Sequence, residues 1–156
     1  MADFFDRIVI LKRTPIFAEV ATDDLRVVVE EMQEEVYFAG ERVFEINDPS
    51  DRMYIVLTGR IGISINPNPN VQDYVSIVGP GGCFGEMGPL DGSPRSATSH
   101  VIDESHLLYL GKLKLHGLIA SYPELAFGLL HGMSTRVRET SDKLLNARSS
   151  EQRRKS

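Results

Sequence analysis

Phe84 to Ser99 reads FGEMGPLDGSPRSATS, and it holds the most suggestive chemistry in the chain. Glu86 and Arg95 stand nine residues apart around a loop of Gly88, Pro89, Asp91, Gly92 and Pro94. Small residues opening into a short helical turn at GEMGPL would expose backbone N–H groups at a positive helix end, which suits an anion. Arg95 adds a planar, permanently charged fork that fits two phosphate oxygens. Glu86, only an acceptor when ionised, would repel that phosphate and matches a hydroxyl on the same ligand, such as a ribose. An acid for a sugar and a base for a phosphate imply a nucleotide. A salt bridge between Glu86 and Arg95 across the loop reads equally well from composition alone.

Other reactive patterns are missing from the sequence. GPGGCFG departs from GxGxxG, and neither GxxxxGK[ST] nor GxSxG occurs. His100, His106, His116 and His131 lack the spacing of a helical metal pair. His100 and His106 lie near predicted strands, where two metal ligands could approach one another, but surface or core histidines are the simpler reading. Cys83, flanked by Gly82 and Phe84, reads as a small hydrophobe. The expectation is no catalytic residue, no metal, no cofactor and no enzyme.

The bulk numbers set what can position such a loop. With 156 residues, 42% of them hydrophobic, the chain suits one domain, since domains typically run about 100 to 150 residues. A net charge of -5 argues against a phosphate-backbone binder, so no nucleic-acid partner is expected. Arg153, Arg154 and Lys155 form the only dense basic run and read as a solvated tail. One cysteine forms no internal disulfide, and charges at Asp3, Asp6, Arg7, Lys12 and Arg13 interrupt the first apolar run. Neither a signal peptide nor a membrane span is expected, which points to the cytoplasm.

Periodicity divides the chain into helices, strands and helices. Phe4 to Leu11 repeats on one helical face and ends at Thr14-Pro15. Thr22 looks like an N-cap for a helix bearing Leu25, Val28, Val29 and Met32, with Asp23 and Asp24 in its positive first turn. From about Glu35 the period becomes two, punctuated by turn chemistry at Ala39-Gly40, Asn47-Asp48-Pro49, Thr58-Gly59, NPNPN at 66–70 and GPGG at 79–82. That spacing predicts a small antiparallel barrel or jelly roll. After Gly111 the helical period returns, with Ser121 and Glu124 as a capping box for a long helix starting near Tyr122. Leu130, Met133, Val137, Thr140 and Leu144 step by 3, 4, 3 and 4, the seam of a helix packed lengthwise on its own barrel or on a second copy. Gly128 and Gly132 would permit close backbone approach. The expected plan is one domain over residues 1–147, with N-terminal helices at 1–33, the β-barrel at 34–111, C-terminal helices at 112–147 and a polar tail at 148–156.

FGEMGPLDGSPRSAT resembles the phosphate-binding cassette of cyclic nucleotide-binding domains. The likeness extends through TPIFAEVATDDL, VYFAGERVF, DRMYIVLTGRIGI and LHGLIASYPELAFGLL. It implies an eight-stranded jelly-roll barrel, Glu86 on a ribose 2′-hydroxyl, Arg95 on a cyclic phosphate, and the backbones of Gly85, Met87 and Ala97 around the same groups. Two positions depart from the family pattern: Asn47, where glycine is frequent, and Pro89, at a site more often aliphatic. Arg95-Ser96-Ala97 and RETSDKLLN, 138–146, are similar to catabolite-activator-type receptors, which implies Thr140 and Ser141 near the base. Those receptors continue into a winged helix-turn-helix, whereas this sequence stops about ten residues after the likeness ends.

The resulting expectation is a sensor that binds cAMP, with cGMP less favoured through Ser96. It would pair as a homodimer along its C-terminal helix and signal to an effector protein, with no nucleic-acid or membrane partner. A scaffold with the same fold but no ligand is the alternative, and a cupin-type enzyme would need a histidine cluster that the sequence does not show.

Overall fold

A computed structural model describes residues 2–155. Two short helices come first, α1 (Phe4–Arg13) and α2 (Thr22–Glu31). Eight strands follow: β1 (Gln33–Tyr37), β2 (Arg42–Phe44), β3 (Arg52–Thr58), β4 (Ile61–Ser64), β5 (Tyr74–Val78), β6 (Cys83–Phe84), β7 (Thr98–Val101) and β8 (Ser105–Gly111). A short helix α3 (Met87–Asp91) interrupts them between β6 and β7, and α4 (Lys112–Ser121) and α5 (Glu124–Lys155) end the chain.

The strands form two four-stranded antiparallel sheets, ordered β1-β8-β3-β6 and β2-β7-β4-β5. The eight strands and two-layer arrangement fit the expected jelly roll, and the expected barrel is corrected to two separate sheets. Among the described residues no strand pairs across the two sheets, because the chain changes sheet through turns such as residues 38–41, and bulges shift the register in β2, β3 and β4. β6 is only two residues long because Gly85, at φ 72°, turns the chain out of the sheet.

β3 explains the order of the layers. Its run from Met53 to Leu57 is buried at every position, so it does not alternate as a half-exposed strand would. Met53, Ile55 and Leu57 join a core with Leu11, Phe17, Leu25, Val28, Leu108 and Leu115 under the helices. Tyr54 and Val56 point the other way, into a second core with Ile61, Phe84, Val101 and Leu107. β3 and β6 are therefore buried on both faces of the first sheet, while Val36 on its edge strand β1 and Val75 and Ile77 on the second sheet are exposed.

The helices depart from expectation at their ends. Thr22 is the first helical residue of α2, and Ala21 occupies the cap without a side-chain hydrogen bond, leaving Asp23 and Asp24 to complement the first turn. Ser121 is the last residue of α4 rather than the cap of α5, and Tyr122-Pro123 separates the two helices. The polar residues 148–155 continue α5 as exposed helix. Gly128 and Gly132 do allow close approach: a Cβ on Gly128 would lie 2.2 Å from the Ile16 carbonyl oxygen, and one on Gly132 would lie 2.9 Å from Ile16 Cγ2. Leu125 and Leu129 anchor this first part of α5 in the core. Farther along, Leu130, Val137 and Leu144 are 60%, 64% and 63% exposed, so these three seam positions are not covered by the chain's own sheets. No helix among the described residues is long and apolar enough to cross a membrane.

Candidate functional site

The loop singled out by its residue types lies between β6 and β7 and lines a cavity of about 440 Å³. Gly85 has a positive φ, and a Cβ there would sit 2.6 Å from Arg95 Nη1, so both backbone conformation and space require glycine. Gly88 lets α3 close onto the β2–β3 connection, since its Cβ would collide with the Ser50 side chain. Gly92, at φ 77°, ends α3 by donating its N–H to Gly88 O at 2.8 Å. Asp91 then accepts from the Ser93 backbone N–H at 2.9 Å, and the Ser93 bonds hold its carboxyl below the ordinary carboxylate value.

Arg95 is fixed from both ends. Its backbone N–H donates to Asp48 O and its carbonyl accepts from the Asn47 N–H, each at 2.8 Å. Asn47 adopts φ 73°, the left-handed conformation that asparagine tolerates, which accounts for its place in that turn. The guanidinium lies over the Phe44 ring at 3.9 Å and within 5.9 Å of the Tyr54 centroid. Nη1 donates to Gly85 O and Nη2 to Arg52 O, both at 2.8 Å, while Nε is buried without a partner.

The side chain is only 5% exposed, and burial lowers the guanidinium from its ordinary value, against the opposing influence of Tyr54, Asp51 and Asp48. Among the described residues no carboxylate forms an ion pair with Arg95; its donors go to backbone carbonyls instead of a bridge to Glu86. A desolvated cation held by carbonyl dipoles, with acidic groups acting on it only from a distance, has the chemistry to attract an anion.

Glu86 lies beside it, 3% exposed, just before α3. Gly85, Glu86, Met87, Arg95, Ser96 and Ala97 all line the one cavity. Thr140 joins them from α5, more than forty residues away in sequence, whereas Ser141 does not line the cavity in a single chain. Glu139 and Lys143 also line it and were not singled out by sequence reasoning. Their i, i+4 spacing is the one signal available, and it reads as an ordinary solvated helix face. The hydroxyls that follow Arg95 serve the scaffold: Thr98 Oγ1 and Ser99 Oγ accept from the Ile46 and Phe44 N–H groups, each at 3.0 Å, and hold β2 beside the site.

His100 and His106 sit on different sheets, in β7 and β8, so they do not converge. His116 on α4 hydrogen-bonds the Pro89 carbonyl at 2.7 Å, tying α3 to the helices beyond the sheets.

Residues 34–122, more than half of the chain, match the family described as Cyclic nucleotide-binding domain. The chain belongs to that family. This cyclic nucleotide-binding domain is 29% identical over 135 residues to the CRP-like cAMP-activated global transcriptional regulator of Mycobacterium tuberculosis, covering 86% of this chain and 60% of the regulator. It is 32% identical over 124 residues to a cyclic nucleotide-gated potassium channel of Mesorhizobium japonicum, covering 80% of this chain and 33% of the channel. Among solved structures it resembles the N-terminal domain of a transcriptional regulator from Streptomyces coelicolor, with TM-score 0.71, 31% identity and coverage of 85% of this chain and 95% of that one. The chain thus spans less than two thirds of the curated relatives it matches, and those relatives are regulators and channels rather than enzymes.

Proposed function

We propose that this domain is a sensor that binds cAMP and passes its occupancy through α5 to an effector. The observation that carries the reading is Arg95: a buried guanidinium, held by two carbonyls with no carboxylate paired to it, on the wall of a nucleotide-sized cavity. The cyclic phosphate takes Arg95 together with the backbone around Gly85, Met87 and Ala97. Glu86 accepts from the ribose 2′-hydroxyl. Ser96 and Thr140 face the same space and favour adenine over guanine, because a hydroxyl on α5 accepts from the 6-amino group that guanine replaces with a carbonyl.

The exposed apolar line of Leu130, Val137 and Leu144 supports a homodimer paired along α5, in which Ser141 reaches the ligand of the opposite subunit. Ligand then shifts the arrangement of α5 by binding one arrangement better than another. The setting is cytoplasmic, no enzyme chemistry is involved, and neither nucleic acid nor membrane is a partner of this domain.

Calorimetric titration with cAMP, cGMP and a cyclic dinucleotide, with sedimentation of the same samples, tests this reading. Saturable cAMP binding that exceeds cGMP binding, together with a dimer, is expected. No binding of any cyclic nucleotide would reduce the domain to an interaction module.

A further inference from the structure

A second cavity, of about 330 Å³, lies away from the nucleotide site, between α1 and the first sheet. Ala2, Asp6 and Ile10 line it from the N-terminal side, Glu34 from β1, Leu57 and Thr58 from the end of β3, and His106 from β8. The Glu34 side chain is only 1% exposed. Its Oε1 accepts from the Ala2 N–H at 3.2 Å and lies 3.8 Å from Arg7 Nη2. Its Oε2 is buried and accepts no hydrogen bond, although His106 Nδ1 stands 3.9 Å away.

A carboxylate oxygen removed from water without a donor is costly, so this wall of the cavity favours a ligand that brings one. Among the described residues the charges at this wall are Glu34 and Asp6, with Arg7 beside Glu34, a negative balance when His106 is neutral.

We propose that this cavity binds a small primary aliphatic amine in its ammonium form. One nitrogen about 2.8 Å from each of two acceptors spans a 3.9 Å gap with N–H directions roughly 90° apart, within reach of a tetrahedral ammonium. Glu34 Oε2 supplies one acceptor, and His106 Nδ1 supplies the other in the tautomer that carries its proton on Nε2. Asp6 or Thr58 takes the third N–H, and Ile10 and Leu57 cover the alkyl chain. A metal ion fits less well: among the described residues no group of three His, Cys, Asp or Glu side chains could hold one.

The test is a backbone amide NMR titration of the whole chain with n-butylamine, which is protonated at neutral pH, beside 1-butanol, its neutral isostere. Saturable shifts centred on Leu57, Thr58 and His106 with the amine, and at least tenfold weaker binding of the alcohol, are expected. Glu34→Gln should weaken the amine tenfold or more. Thr58→Arg alters an exposed position, fills the cavity with a tethered cation and should abolish the shifts while leaving cAMP binding intact. Equal response to the alcohol, no saturable response to the amine, or unchanged amine binding in the folded Thr58→Arg protein would overturn the assignment.

Discussion

Replacing Arg95 with alanine removes the proposed phosphate partner, the two donors that hold Gly85 O and Arg52 O, and the cation stacked on Phe44. The binding loss follows from leaving a desolvated anion without its charge-assisted partner, about 2 to 5 kcal/mol by analogy with truncated buried charge pairs. At about 1.4 kcal/mol per tenfold, cAMP affinity should fall between roughly 30-fold and roughly 4,000-fold. Stability should move less. Each orphaned carbonyl costs about 1 to 3 kcal/mol if it stays dry, but the vacated space adjoins the cavity, so water can reach both. Removing a buried cation with no carboxylate partner offsets part of what remains. Arg95→Lys keeps the charge but loses the planar fork, since one ammonium cannot serve both carbonyls and two phosphate oxygens; an intermediate loss is expected. Calorimetry and thermal melts on the same preparations separate binding from folding. A tenfold or smaller loss of cAMP affinity in folded Arg95→Ala would refute the reasoning.

Gly128→Ala should destabilise the fold by about 1 to 3 kcal/mol despite the better helix propensity of alanine, because the new methyl meets the Ile16 carbonyl at 2.2 Å; denaturant melts at or above parental stability would contradict this. His100 is 4% exposed, and burial, helped by Arg42, lowers its pKa, so its proton binds the unfolded chain first. Its contribution is present above the ordinary histidine pKa of about 6.5 and is lost as pH falls from there towards the lowered folded value, levelling off below it. His100→Gln should flatten that part of the stability profile, and an unchanged slope would assign it to other groups. Thr140→Ala with Ser141→Ala should lower the preference for cAMP over cGMP, and Val137→Glu should shift sedimentation towards monomer. An unchanged nucleotide ratio would remove α5 from base selection, and an unchanged mass would remove its seam from the interface.

Local sequence was enough to single out the β6–β7 loop, whose residues line one cavity, because glycine spacing, a fork-shaped cation and an acceptor keep their character in any fold. Period alone separated the helices from the strands, and the asparagine at position 47 signalled a left-handed turn, observed at φ 73°. Helix ends were less legible at Thr22 and Ser121, since the same small polar residues cap one helix or end another depending on where the chain turns. The uninterrupted burial of Met53 to Leu57 reports two apolar faces, but not which helices and which second sheet supply them.

Sheet closure and the full wall of the site belong to tertiary structure. Eight strands with the same alternation can form one barrel or two sheets, and the choice lies in turns and bulges that transfer the chain without carrying a ladder across. Glu139 and Lys143 enter the cavity only because the glycines of α5 seat its first turns against Ile16 and so direct the rest of the helix. The carbonyl partners of Arg95 are equally nonlocal: Arg52 is 43 positions away, and its backbone oxygen has no side-chain signature to read. Sequence therefore determined which groups carry the chemistry that the proposed nucleotide needs, because that depends on covalent chemistry and local backbone preference. Only the fold decided which of them line one cavity, because burial and long-range proximity are properties of packing.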